Sequence, residues 1–156
     1  MTIKDIYYLD HDEVDYEVIN DSDLIQIIRE FRDPFIATSA LTELASRGSA
    51  ELPDLASDIL ENSLGDRYLQ SLAYLRLFDL DEPKAIDYAL RNYQNCDPII
   101  LRSIMETVVT HTLFSEDESL KQFARNAFER FKSLSPESPT DQVHYQWVCE
   151  QFTQDF

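Results

Sequence analysis

The chain has 156 residues, enough for a substantial core, with 44% hydrophobic residues and only two glycines, Gly48 and Gly65. Glycine scarcity disfavours a fold built on hairpin turns and strand bulges. Thirty acidic against thirteen basic side chains give a net charge of −17, which opposes binding to nucleic acid or to an anionic membrane surface.

The first 20 residues contain Ile6-Tyr-Tyr-Leu and Val14-Asp-Tyr-Glu-Val-Ile, mix aromatic with acidic side chains, and read as an extended or partly helical leader. The N-terminal Met-Thr-Ile-Lys-Asp-Ile is not an apolar run of signal-peptide length, and no stretch approaches a membrane span. Residues 21–32 are expected to form the first helix, capped at Asp21-Ser-Asp, with Leu24, Ile25, Ile27, Ile28 and Phe31 on its apolar side.

Three later segments begin alike, at Asp33-Pro-Phe-Ile, Asp66-Arg-Tyr-Leu and Asp97-Pro-Ile-Ile, the aspartates lying 33 and 31 positions apart. Downstream, the same offsets are apolar: Phe35, Tyr68 and Ile99; Ile36, Leu69 and Ile100; Ala40, Ala73 and Ile104; Leu41, Tyr74 and Met105; Leu44, Leu77 and Val108; Ala45, Phe78 and Val109. This is the stripe of an amphipathic helix, not the alternation of a strand. An aspartate at the start can accept from the free N–H groups of the first turn, and proline at the next position lacks a donor that would be unsatisfied anyway.

Each first helix is followed by a second. One starts near Pro53, with Leu52, Leu55, Ala56, Ile59 and Leu60 inward; the next opens at Asp81-Glu82-Pro83, with Ala85, Ile86, Ala89, Leu90 and Tyr93; the third follows Ser115-Glu-Asp-Glu, with Leu120, Phe123, Ala124, Ala127, Phe128 and Phe131. The expected units are 33–65, 66–96 and 97–131, then a linker at Ser135-Pro-Glu-Ser-Pro and a terminal helix over 140–153 with Val143, Trp147, Val148 and Phe152.

The near-constant period and the paired amphipathic segments resemble HEAT repeats. The resemblance implies an all-α solenoid of about three antiparallel hairpins, with the terminal helix as a cap. It also implies a concave surface made by the second helices, which would present Asp58 and Glu61, then Asp87, Tyr88 and Arg91, then Arg125 and Glu129.

No catalytic pattern accompanies this organisation. His11, His111 and His144 are scattered, Cys96 and Cys149 have no ligand spacing, and motifs for a zinc protease, a serine hydrolase or a phosphate loop are absent. His11-Asp12 lacks recognisable further ligands, Glu116-Asp-Glu lacks an EF-hand's glycine and alternation, and Cys149 and His144 are five residues apart. The reading is a cytoplasmic non-enzyme with no metal and no cofactor.

What remains is charge. The first 65 residues carry 15 acidic and 4 basic side chains, a net of −11, against 15 and 9, a net of −6, in residues 66–156. Asp10, Asp12, Glu13 and Asp15 crowd the leader beside Tyr16, and Asp54, Asp58 and Glu61 recur on one side of the second helix of the first unit. Two readings stay open: an acidic surface that maintains solubility, or one that meets a cationic partner. On the second, the partner-binding residues are Asp10, Asp12, Glu13, Asp15, Tyr16, Asp54, Asp58, Glu61, Asp87 and Tyr88.

In size, charge and helical organisation the chain resembles small acidic immunity proteins of bacterial contact-dependent growth inhibition and other polymorphic toxin systems. That resemblance implies a basic toxin domain as partner, about one to one. The toxin would be a nuclease, an RNase fitting slightly better than a DNase. The alternative is a non-catalytic HEAT-like adaptor holding another protein.

Overall fold

The side-chain carboxylates of Asp33, Asp66, Asp97 and Asp117 each take up N–H groups that a helix start leaves without a partner. Asp33 accepts from Phe35 at 2.9 Å and Ile36 at 3.0 Å, and Asp66 from Tyr68 at 3.1 Å and Leu69 at 2.9 Å. Asp97 accepts from Ile99 at 2.8 Å, and Asp117 from Ser119 at 2.8 Å. Pro34 and Pro98 follow in the first turn. The repeated aspartate starts are therefore helix N-caps, as their sequence position predicts.

These caps punctuate an all-helical chain. The computed structural model describes residues 2–112, 115–134 and 139–153, apart from the side chains of Asp141 and His144, and no strand occurs among them. The expected linker at Ser135-Pro-Glu-Ser-Pro lies outside the described residues except for Pro139, which opens the last helix. The helices are α1 (Ile3–Ile6), α2 (Asp21–Glu30), α3 (Pro34–Ser46), α4 (Leu52–Glu61), α5 (Arg67–Leu80), α6 (Glu82–Asn92), α7 (Pro98–Ile104), α8 (Thr110–Thr112), α9 (Glu118–Ser133) and α10 (Pro139–Thr153). They fall into two compact units, Met1–Glu82 and Pro83–Phe156.

In the first unit the most extensive packing is α4 on α5, then α2 on α3, with α3 also against α5. Leu24, Ile27 and Ile28 of α2 and Ile36, Ala37, Ala40, Leu41 and Leu44 of α3 are buried. So are Leu52, Leu55, Ala56, Ile59 and Leu60 of α4, and Leu69, Ala73, Tyr74 and Leu77 of α5. Apolar rows at these spacings are what two packed helices can both hide.

The expected stripe needs one correction: Phe35 is 68% and Tyr68 56% exposed, while Ile99 at the equivalent offset is buried. Residue 35 lies about 100° round the helix from the row that continues through Ile36, Ala40 and Leu44, so it leaves the packed side. Ala45 and Phe78, at the other end of the stripe, are only half-buried.

The leader is folded onto this unit. Ile6, Val14 and Ile19 are buried, and 3₁₀ turns form at His11–Glu13 and Tyr16–Val18. The cap of α2 is Asn20, whose side chain accepts from Asp23 N at 2.9 Å, in place of the expected Asp21. Asp21 has another partner, Arg47, at the C-terminal end of α3. The Arg47 guanidinium donates to the carbonyls of Tyr16 at 2.7 Å, Glu17 at 3.1 Å and Ile19 at 2.7 Å, and to the carboxylates of Asp21 at 3.0 Å and Glu43 at 2.7 Å. The first four of those bonds fasten residues 16–21 to α3, and the Glu43 bond holds the guanidinium against its own helix.

Of the left-handed backbones at Phe31, Gly48, Ser63 and Gly65, two make a close contact. Phe31 ends α2 at φ 44°, its N–H reaching Ile27 O, and Gly65 precedes the Asp66 cap at φ +69°. A Cβ at Gly65 would come within 2.6 Å of Leu69 Cδ2 and 3.0 Å of the Phe31 ring. Only glycine suits both that conformation and that closeness. The Phe31 ring thus lies against the backbone just before α5.

In the second unit, α7 runs through a π-helical turn at Met105–Val109 into α8, and this turn and α7 pack on α9. Phe123, Ala124, Ala127, Phe128 and Phe131 form the buried row of α9. α10 docks through Phe152, 5.9 Å from Phe128, and through Tyr145, whose ring stacks 5.3 Å from Phe131 and whose hydroxyl donates to Lys132 O at 2.7 Å. Of the four apolar residues expected to dock this helix, Val148 and Phe152 are buried, but Val143 and Trp147 are 65% and 49% exposed. In α6 the buried residues are Ala85, Tyr88 and Ala89, while Leu90, expected inward, is exposed. The Arg130 guanidinium donates to Cys96 O at 3.0 Å, and the Tyr93 ring meets Phe123 edge-on at 5.2 Å.

Two outcomes follow from this packing. Leu77 is 1% exposed, and Leu77→Ala should lower unfolding free energy by about 2–5 kcal/mol in a denaturant titration; a change under about 0.5 kcal/mol would place it on the surface. Burial pushes the Cys96 thiol up to about 11 from an ordinary 9.0. Iodoacetamide at pH 8 should therefore alkylate Cys96 about a hundredfold more slowly in the folded chain than in urea, since the thiolate is the nucleophile. Equal rates, read by mass spectrometry of the digested protein, would show that the thiol is open to solvent.

Candidate functional site

A titratable constellation able to do chemistry requires groups within hydrogen-bond reach of one another. His11 Nε2 lies 2.8 Å from Asp12 Oδ1 with both side chains well exposed, and the imidazole stacks on Phe35 at 5.3 Å. Cys96 and Cys149 are free thiols. No group of three or more His, Cys, Asp or Glu residues among those described is arranged to hold a metal ion, and no helix among them is long and apolar enough to cross a membrane. His111 is exposed on α8, and the side chain of His144, five residues from Cys149, lies outside those described.

The carboxylates singled out in the sequence divide among three places. Asp10, Asp12, Glu13 and Asp15 are exposed on the leader turns. Glu13 turns back to accept from Asp10 N at 3.2 Å, which fixes the first turn. Asp54 and Glu61 are exposed and Asp58 half-buried on the outer side of α4, opposite its buried row. Asp58 is not set only among like charges: Arg29 of α2 approaches it to 3.4 Å, and it accepts from Asn62 Nδ2 at 2.6 Å. A cleft lined by Ser22, Ile25, Arg29, Ala50, Glu51, Asp54 and Leu55 lies between α2 and α4. Asp87 is exposed on α6 and pairs with Arg91 at 2.9 Å.

The two tyrosines expected to meet a partner are placed differently. Tyr16 is half-buried and donates to His11 O at 3.4 Å, so it braces the leader turn from beneath. Burial, followed by the nearby Asp33 and Asp12 carboxylates, holds its phenol above the usual value, against a hydrogen bond with Ser39 that lowers it. Tyr88 is 7% exposed and belongs to the core. The correction has a simple cause: Ala85, Tyr88 and Ala89 fall at i, i+3 and i+4, which puts the tyrosine in the middle of the apolar row of α6.

Other aromatic residues are equally prominent. Phe35, Tyr68 and Tyr8 are exposed aromatics, Tyr8 at 90%. Arg67 lies over the Tyr68 ring at 5.2 Å, and Arg32 over Tyr7 at 5.1 Å while pairing with Glu30 at 3.0 Å. The offset of Phe35 and Tyr68 from their Asp caps does not by itself reveal their exposure, since Ile99 at the same offset is buried.

Ion pairs engage Arg29, Arg32, Arg47 and Arg76 of the first unit with carboxylates of the same unit. Arginines so engaged leave the surplus of carboxylates facing solvent. No protein-family model, no curated protein and no solved structure matches this chain.

Proposed function

We propose that the chain is a cytoplasmic immunity protein, not an enzyme, that binds and neutralises a basic toxin domain in an approximately one-to-one complex. Its helical pairs are read as HEAT-like repeats closed by α10, and the toxin as a nuclease, an RNase before a DNase. The observation that carries the reading is the −17 charge together with the outward placement of its carboxylates. Asp10, Asp12, Glu13 and Asp15 on the leader and Asp54 and Glu61 on α4 are all exposed. Like charges at helical spacing repel by a few tenths of a kcal/mol per pair, a cost that a cationic partner offsets. A nuclease surface that binds phosphates is basic, so an acidic protein is complementary to it in charge.

Complementary charge acts first on the encounter. Association of such pairs can approach about 10⁸–10⁹ M⁻¹s⁻¹ at low salt, an advantage for a protein that must silence a toxin on arrival.

The deciding experiment combines a complex with protection. The full chain is mixed with the basic toxin domain encoded beside it, and cells expressing that toxin are scored for survival. A tight complex is expected, with an on-rate that falls steeply between low and physiological salt, because the Debye length shrinks to about 8 Å. Reversing Asp54, Asp58 and Glu61 to Lys, or Asp10, Asp12, Glu13 and Asp15 to Lys, should slow association and reduce protection. If both reversed proteins protect fully with unaltered salt dependence, the acidity serves solubility and the mechanism fails.

Changing His11, His111, His144 and Cys149 together should leave protection intact in a protein whose helical content is unchanged. Abrupt loss with the fold preserved would point to catalysis or metal binding instead.

A further inference from the structure

We infer that the end of the first unit where α3 and α5 begin is the face that receives the cationic partner, and that it does so by stacking arginine side chains on Phe35 and Tyr68. The inference rests on the cationic-partner reading above and adds which surface, which anchors and which cation.

Three observations converge there. Phe35 and Tyr68 occupy the same position, two residues after the Asp33 and Asp66 caps, and are 68% and 56% exposed. Large aromatics held in the open at equivalent places on two adjacent helices form an apolar patch with no role in the core. Gly65, just before the Asp66 cap, lies against the Phe31 ring, just before the Asp33 cap, and α3 packs on α5.

The chemistry already present at this patch indicates its occupant. The His11 imidazole stacks on Phe35 with ring planes 27° apart, and the Arg67 guanidinium lies 5.2 Å over Tyr68. Each ring thus accepts a planar nitrogen group from its own chain and still leaves about half or more of its surface open. A guanidinium is the protein cation that both stacks on an aromatic face and binds carboxylates, whereas an ammonium is a hydrated point charge. The carboxylates are close by: Asp12 reaches His11 at 2.8 Å, and Asp33 lies two residues before Phe35. The leader that carries Asp12 is held in place from below by Tyr16 and Arg47. A partner surface rich in arginine therefore finds stacking rings and carboxylates at one preorganised position. The acidic side of α4 has carboxylates but no exposed large hydrophobic residue, and lacks this pairing.

The test is an amide-shift titration of the full-length, ¹⁵N-labelled chain with a short synthetic arginine-rich peptide, and with a lysine peptide of equal charge. The arginine peptide should shift residues 8–16, 33–36 and 66–69 and bind more tightly than the lysine peptide. Phe35→Ala with Tyr68→Ala should weaken the arginine peptide by about tenfold, and Phe35→Tyr should keep the affinity. Both positions are exposed, so unchanged dispersion of the remaining spectrum serves as the check on folding. Shifts centred on residues 54–61, or equal affinity for the two peptides, would overturn this docking face while leaving the acidic-inhibitor reading in place. An absence of binding by either peptide at low salt would overturn both.

Discussion

Thirteen cations cannot pair thirty carboxylates, and the fold is organised around that shortage. A chain this acidic must hold together by apolar burial and by giving carboxylates partners other than lysine and arginine. The backbone supplies them. Asp33, Asp66, Asp97 and Asp117 accept from N–H groups at helix starts, where the helix dipole also favours a negative charge. Each cap settles one acid and one or two orphan donors at once, and so fixes where a helix begins.

The arginines are used sparingly, at joints. Arg47 binds three carbonyls of residues 16–19 and two carboxylates. The carboxylate hydrogen bonds, Glu43 first, hold its pKa above the usual value. Such forked donation suits a guanidinium and not an ammonium. Without it, the carbonyls of Tyr16, Glu17 and Ile19 would lose these donors. Arg130 has a comparable place in the second unit, where it reaches Cys96 O. These cations are engaged inside each unit, and Asp10, Asp12, Glu13, Asp15, Asp54 and Glu61 remain exposed at its surface.

Much of the local structure was legible in the residues. The period between Asp33, Asp66 and Asp97 located helix starts because N-capping is a local interaction, needing only a carboxylate and the next three backbone groups. The rows Leu52, Leu55, Ala56, Ile59, Leu60 and Phe123, Ala124, Ala127, Phe128, Phe131 were readable because helical spacing alone sorts such residues to one side. The leader was less legible. Its aromatic and acidic composition suits several conformations, and the Arg47 bonds that choose among them come from about thirty residues away.

The candidate surface was legible in charge and not in anchors. Sequence alone determined that the chain is helical, strongly acidic, capped by aspartates and most negative in its first 65 residues, since these depend on composition and on neighbours a few positions apart. Tertiary structure decided which aromatics face water. Tyr88 falls within the apolar row of α6 and is buried, Tyr16 braces a turn, and Phe35 and Tyr68 emerge beside their caps. Whether an aromatic side chain is core or surface depends on which neighbouring helix covers it, and that neighbour is chosen by the packing of distant segments.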